Sequence, residues 1–137
     1  IGYPMPYFEL AKAIILAAVH ACEDPRFEPL REDELERITI EVSILTEPEL
    51  MKAKPEKYPK EIEIGKDGLI VERNGKSGLL LPEVATEHGF DEHEFLIHTC
   101  LKAGLPPLAW KDPETKVYKF RTQRFSEENL KPQPGLD

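Results

Sequence analysis

Histidine recurs every five residues at His88, His93 and His98, a regularity that raises the question of a metal site. Five residues of α-helix rotate a side chain by about 500°, which leaves successive histidines roughly 140° apart, whereas helical metal pairs are three or four residues apart. Glu94 and His98 have that spacing, but no third ligand accompanies them. The pattern therefore predicts solvated histidines on helix surfaces and no metal site.

Nucleophilic side chains are available at Ser43, Ser77, Ser126, Cys22 and Cys100. None of the serines lies in a GxSxG elbow, which is where serine hydrolases expose their nucleophile. Both cysteines lie in apolar helical patterns without an adjacent group that would lower a thiol pKa, and such cysteines usually serve packing. The sequence predicts two free, buried thiols and no cofactor. It identifies no catalytic residue and leaves open whether the protein is an enzyme.

The tripeptide Gly75-Lys76-Ser77 imitates the end of a phosphate-binding loop. That loop requires a glycine five residues earlier, where Ile70 stands, and a helix afterwards, where residues 78–82 have the character of a strand. Asn74-Gly75 instead supplies the two positive φ angles of a type I′ turn. These residues predict a β-hairpin and exclude a nucleotide-binding loop.

Composition limits the partners that the chain can bind. The formal net charge is −8 and the pI is near 5.1, which argues against nucleic acid because such binding needs a basic face. The longest apolar run, Ala13–Val19, is too short to cross a membrane, and no signal peptide precedes it. We therefore predict a cytoplasmic protein that contacts neither nucleic acid nor membrane. Abundant Glu, Lys and Pro with few amides resembles the composition of heat-adapted proteins.

Apolar periodicity predicts the elements that would position any site. Residues Ile38–Thr46 alternate as a strand with one apolar face, and we predict that the other elements cover this face. Residues Phe8–Cys22 predict a helix buried on about three sides, with His20 facing water. The prolines of the connection at 46–60 favour extended backbone in its second half, and Glu61–Ile64 is a candidate short strand.

The second half of the chain carries clear helix signals and a closing strand. Pro82 and Gly89 bound a short helix, and Asp91 with Glu94 forms a capping box for a helix that runs to Ala103. Residues 117–125 predict a half-buried closing strand. The basic cluster around this strand is predicted to be a solvated face rather than a binding patch; it comprises Lys111, Lys116, Lys119, Arg121 and Arg124.

Several blocks of the sequence, in order, resemble one known family. The blocks are DPRFEPL, ELERITIEVSILTEPE, IGKDGLIVERNGKSGLLLPEVATEHGFDEHEFLIHTCLKAGLPP and TKVYKFRTQRFSEE. They resemble the AMMECR domain proteins, named for the AMME syndrome candidate region, gene one, in their archaeal and bacterial form. The family signature is Arg-Gly-Cys-Ile-Gly, of which Ile1 and Gly2 are present here. We therefore expect a chain truncated at its N-terminus, with the signature cysteine missing.

The resemblance implies an α+β fold in which helices cover antiparallel sheets in two unequal lobes. It covers residues 1–128 as a single domain, with a larger lobe at 1–64 and 111–126, a smaller lobe at 65–110 and a flexible tail at 129–137. A ligand or partner cleft is expected at the lobe junction, where such sites commonly lie. Its expected residues are Gly2, Tyr3, Arg26 and Phe27.

The resemblance also suggests partners, because prokaryotic members often accompany a Memo-like protein related to non-haem iron dioxygenases and a radical S-adenosylmethionine protein. Our first hypothesis is a non-enzymatic module that binds partner proteins or presents a substrate to them. The alternative is an enzyme or small-molecule binder that uses the missing signature cysteine in the cleft. The sequence does not determine the ligand or the oligomeric state.

Overall fold

The computed structural model describes Gly2 and residues 8–130, with side chains described as far as residue 128. Within this part of the chain, six strands and four α-helices follow one another. In chain order they are α1 (Leu10–Ala21), β1 (Glu41–Leu45), β2 (Glu49–Leu50), α2 (Tyr58–Glu61), β3 (Gly68–Arg73), β4 (Lys76–Leu80), α3 (Pro82–His88), α4 (Glu92–Lys102), β5 (Lys116–Phe120) and β6 (Thr122–Ser126). Four 3-10 turns lie at Glu32–Glu34, Pro55–Lys57, Ala109–Lys111 and Glu127–Leu130. The combination of helices with antiparallel strand pairs confirms the predicted α+β class.

The chain divides into two compact units. Unit 1 comprises Ile1–Ser43 with Arg124–Asp137, and unit 2 comprises Ile44–Gln123. The lobes expected from the resemblance, 1–64 with 111–126 and 65–110, are a different division and stay a prediction. Of the predicted tail at 129–137, residues 131–137 lie outside the described residues.

A four-stranded antiparallel sheet in the order β2-β5-β3-β4 forms the framework of unit 2. The hairpin between β3 and β4 turns at Asn74 and Gly75, whose φ angles are 50° and 78°. These angles match the type I′ turn and confirm the predicted hairpin. β3 lies inside the sheet, and its residues Gly68–Val71 are buried.

The core of unit 2 forms where α4 packs against this sheet. The Asp91 carboxylate accepts a hydrogen bond from the Glu94 backbone at 2.8 Å, so the cap predicted from the sequence begins the helix. α4 buries Phe95, Leu96 and Cys100 against strand residues that are equally inaccessible, namely Leu69, Val71 and Val117. Burying an aliphatic or aromatic side chain contributes about 1.5–3 kcal/mol, so this cluster dominates the stability of the unit.

The prediction that the fold is organised around Ile38–Thr46 is wrong. Strand β1 spans Glu41–Leu45 and contributes no residue to the buried core, while Ile38 and Ile40 are 38% and 49% exposed. β1 pairs with β6 alone in the described sheets, whereas β3 has a strand on each side. The burial of β1 does not alternate along the strand, and the inner positions of the four-stranded sheet belong to β3 and β5.

Helix α1 also differs from its prediction. It spans Leu10–Ala21 rather than 8–22, and none of its residues is buried. Leu10, Ile15 and Val19 are more than half exposed, so the predicted burial on three sides is wrong for the described chain. His20 is exposed, as predicted. The apolar pattern identified a helix, but it could not supply the neighbours that would bury it.

Residues 55–61 form a 3-10 turn followed by helix α2, and residues 62–64 form no strand, so the extended backbone and short strand predicted here are wrong. Pro55 begins a 3-10 turn and Pro59 lies in the first turn of α2, positions at which a missing backbone N–H costs little. Tyr58 and Ile62 are buried by this arrangement. None of the helices in the described part of the chain has the length and hydropathy needed to cross a bilayer.

Candidate functional site

The residues expected to form a cleft belong to unit 1 where they are described. Gly2 is exposed, and a Cβ at this position would have no atom within 4 Å, while Tyr3 lies outside the described residues. Phe27 is 70% exposed, and the Arg26 guanidinium carbon lies 5.7 Å from the centre of its ring. The cleft itself stays a prediction.

Arg26 is engaged by its neighbour Asp24. Its backbone N, Nε and Nη2 donate hydrogen bonds to the Asp24 carboxylate over 2.7–3.3 Å. These bonds lower the pKa of Asp24 to about 2, the side-chain bonds having the largest effect, and they raise the pKa of Arg26. Arg26 therefore forms a local ion pair, and an anionic ligand would have to compete with it.

The two cysteines have different environments. Cys100 is fully buried as predicted, and its burial raises the pKa of the thiol, which keeps the sulfur protonated at neutral pH. Cys22 is exposed, contrary to prediction, and its Sγ donates to the Ala18 carbonyl at 3.3 Å. Because α1 is not buried, its last turn leaves the thiol at the surface. Cys100 is thus a packing residue.

The three regularly spaced histidines lie at the surface, as predicted, and each contacts an aromatic ring. His88 and His98 stack on Phe90 with centroid distances of 5.2 and 4.1 Å, and His93 meets Trp110 edge-on at 6.0 Å. A search of the described residues finds no group of three or more His, Cys, Asp or Glu side chains placed to hold a metal ion. Aromatic packing is the role that the geometry gives these histidines.

In unit 2, Arg121 forms ion pairs with two carboxylates. Its Nε donates to Asp67 Oδ1 at 2.8 Å and its Nη2 donates to Glu63 Oε2 at 3.0 Å, and these contacts raise its pKa. Asp67 is almost fully buried and also accepts from the Glu63 backbone at 2.8 Å. A groove of about 420 Å³ borders Arg121, but its guanidinium is already neutralised. The cluster fixes the turn at 63–67 rather than offering a free cation.

The larger groove of unit 2, which we call the lysine groove, has unpaired cations. It encloses about 680 Å³ between residues 50–56 with Tyr58 on one side and Pro113, Thr115 and Lys116 on the other. Lys52, Lys54 and Lys116 are exposed, and none has an ion-pair partner among the described residues. The groove therefore presents three lysines that form no ion pair with a described carboxylate.

The floor of the lysine groove is apolar and ordered by buried side chains. Met51 and Tyr58 are each 5% exposed, and the Tyr58 hydroxyl donates to the Met51 carbonyl at 3.4 Å. Burial raises the pKa of the Tyr58 phenol, which therefore stays protonated and able to donate. Thr115 is 2% exposed, and its hydroxyl finds no hydrogen-bond partner in the described structure.

Sequence reasoning missed this groove. Lys116 was assigned to a solvated strand face, and Lys52 and Lys54 were not singled out. The available signal was the run Lys52-Ala53-Lys54-Pro55, which concentrates positive charge beside a proline in an acidic chain. It was insufficient because Lys116 is distant in the sequence and joins these residues in one groove only in the folded chain.

Comparison with known proteins gives consistent matches over most of the chain. The AMMECR1 family model matches residues 1–125. A protein from Thermococcus gammatolerans is 56% identical over 129 residues, covering 93% of this chain and 63% of the relative, and protein PF1979 from Pyrococcus furiosus is 55% identical, covering 93% and 61%.

A solved structure is also similar. The crystal structure of the uncharacterized protein PH0010 from Pyrococcus horikoshii superposes with a TM-score of 0.90 at 52% identity, covering 93% of this chain and 64% of that protein. The chain thus spans less than two thirds of the length of these relatives.

Proposed function

The chain belongs to the AMMECR1 family, and on that premise we propose that it is a non-enzymatic module that binds partner proteins or presents a substrate to them. Its proposed partners are Memo-like and radical S-adenosylmethionine proteins. The lysine groove is the observation that supports this proposal, because an open surface with free cations and an apolar floor suits a segment of another protein.

Small-molecule sites usually bury most of the ligand surface and direct a few polar groups towards the ligand. The lysine groove instead places its lysines at solvent-exposed positions, and Leu50 beside them is 41% exposed. Exposed apolar surface rimmed by polar residues marks protein interaction sites when the patch is large. The groove therefore supports binding more than catalysis.

The alternative function, an enzyme or small-molecule binder that uses the signature cysteine, depends on the cleft of Gly2, Tyr3, Arg26 and Phe27. Arg26 would supply the positive charge for an anionic ligand there. Its donors are already directed at Asp24, whose carboxylate is nearly buried. This contact favours the module over the enzyme.

Titration calorimetry tests the proposal. The protein as its own cells make it is titrated with the Memo-like and radical S-adenosylmethionine proteins of the same organism, and we expect a stoichiometric complex at micromolar concentration with at least one of them. Native mass spectrometry of the gently purified protein would detect a bound metabolite, which is the result expected for the alternative function. A bound metabolite together with no heat from either partner would replace the module with the alternative.

A further inference from the structure

We infer that the lysine groove binds an acidic segment of a partner protein, with carboxylates placed between Lys52, Lys54 and Lys116 and apolar side chains on the floor. The inference rests on the proposed function and specifies the chemistry of the partner. It follows from the strand register, the distribution of charge and the composition of the floor.

The lysine groove brings together two lysines that are distant in the sequence, Lys52 and Lys116. Leu50 lies opposite Tyr118, and the Met51 backbone N donates to the Val117 carbonyl at 2.8 Å. Continuing this antiparallel register by one residue places Lys52 opposite Lys116. Side chains at directly opposed positions have Cβ atoms about 4.5–5.5 Å apart, and like charges there repel each other.

On its other side Lys116 lies opposite Glu72 of β3, which offsets part of this repulsion. Neither ammonium group lies within 4 Å of a carboxylate, although Asp and Glu outnumber Lys and Arg by 26 to 18 in the sequence. Glu56 is the one carboxylate among the residues lining the groove. A carboxylate from outside the chain would replace one repulsion with two attractions, which makes an anion the complementary occupant.

The occupant must also cover apolar surface. Leu50, Pro55 and Pro113 line the groove beside the lysines, and Met51 and Tyr58 lie beneath them. A free inorganic anion would leave this surface in water, whereas a peptide with acidic and apolar residues would cover it and supply the charges. A nucleic acid is disfavoured because the remaining surface of an acidic chain would repel its backbone.

Fluorescence anisotropy of a labelled eight-residue peptide with alternating Glu and Leu tests the inference, with the matching Gln and Leu peptide as control. We expect the Glu peptide to bind at least about tenfold more tightly, since each exposed ion pair adds a fraction of a kcal/mol and several act together. Its affinity should fall as salt is raised from 50 to 500 mM, because salt screens such pairs. Equal affinity of the two peptides would overturn the inference.

Charge reversal locates the site. The double variant Lys52→Glu, Lys116→Glu should lose about tenfold or more in affinity for the Glu peptide, whereas the charge-matched variant Lys60→Glu, Lys102→Glu should remain within about twofold of the parent. Lys60 and Lys102 are exposed and do not line the groove. Equal losses in the two variants would show a general charge effect and would overturn the inference.

The single variant Lys52→Glu separates lost binding from lost folding. It converts the opposed like charges into a favourable pair with Lys116, so its melting temperature should equal or exceed that of the parent while the peptide binds more weakly. Three results would each overturn the assignment. The first is unchanged peptide binding by this variant, and the second is tighter binding of an RNA hexamer or of anionic vesicles than of the Glu peptide. The third is self-association of the parent in ultracentrifugation that the double variant abolishes.

The same variants distinguish the inference from the proposed function. If the parent protein binds a Memo-like or radical S-adenosylmethionine protein and the groove variant binds it equally well, the module stands and the groove assignment fails. If the Glu peptide binds in the groove and neither partner protein binds, the groove assignment stands and the proposed partners fail.

Discussion

Replacing Gly78 with alanine should destabilise unit 2 by about 3 kcal/mol. Gly78 lies in β4 where the end of α4 crosses the strand, and an added Cβ would stand 2.4 Å from the backbone nitrogen of Ala103 and 2.7 Å from its Cα. Optimal contacts between heavy atoms are about 3.5–4.0 Å, so helix and strand must separate by roughly 1 Å. Because both contacting groups are backbone, no rotamer change can relieve the clash.

The magnitude follows from what α4 buries. Overpacking of a core costs about 1–3 kcal/mol, and the upper end applies here because the shift would loosen Phe95, Leu96 and Cys100, all at 0% exposure. Gly78 has no positive φ, so the effect comes from steric contact rather than from backbone strain. The neighbouring substitution Ser77→Ala, at an exposed position, should change the stability by less than about 0.5 kcal/mol.

Guanidinium chloride unfolding followed by the fluorescence of Trp110 measures this difference. Trp110 is the single tryptophan, is 2% exposed and lies in unit 2, so its emission reports the unfolding of that unit. With a denaturant slope of about 3 kcal/mol/M, the midpoint of Gly78→Ala should fall by about 1 M. A midpoint equal to that of Ser77→Ala would refute the close approach of α4 to β4.

Three further predictions concern single contacts. In Arg26→Gln, the pKa of Asp24 should return from about 2 towards its ordinary value of 3.8. In the parent protein, the ion pair should stabilise the fold at pH values above 3.8, and this stabilisation should be lost as the pH falls towards 2. A carboxyl NMR titration that gives the same pKa in both proteins would contradict this. Thr115→Val removes a buried hydroxyl that has no hydrogen-bond partner in the described structure. Thermal unfolding should therefore show a stability equal to that of the parent or higher by up to about 1 kcal/mol. A loss of stability of about 1 kcal/mol would contradict the geometry. A disulfide reagent should modify Cys22 quickly and Cys100 only on unfolding, because Cys100 is buried and its thiol pKa is raised. Rapid modification of both thiols in the native protein would exclude this packing.

The sequence predicted correctly those features that depend on neighbouring residues. The Asn74-Gly75 turn and the Asp91 cap were both identified, since a turn angle or a capping bond involves atoms only a few residues apart. Gly89 ends α3 with a φ of 67°, again as predicted. The resemblance to the family, carried by blocks of sequence in order, agrees with the family match over residues 1–125.

The sequence could not rank the apolar segments by burial. Periodicity predicted Phe8–Cys22 and Ile38–Thr46 as covered elements, yet α1 has no buried residue and β1 contributes none to the core. An apolar face shows only that burial would be favourable, and the partner that provides it is chosen by tertiary packing. β3 and β5 become the inner strands because each pairs with a strand on both of its sides.

By itself, the sequence determined the local caps and turns and the acidic charge of the chain, because each depends on composition or on residues close together in the chain. The family followed from blocks of sequence in order, and the α+β class was implied by that resemblance. Tertiary structure decided which cations are free. Arg121 is neutralised by Asp67, whereas Lys52 and Lys116 line one groove and neither forms an ion pair with a described carboxylate. Charge is a property of residues, but its compensation depends on distances that only the folded chain sets.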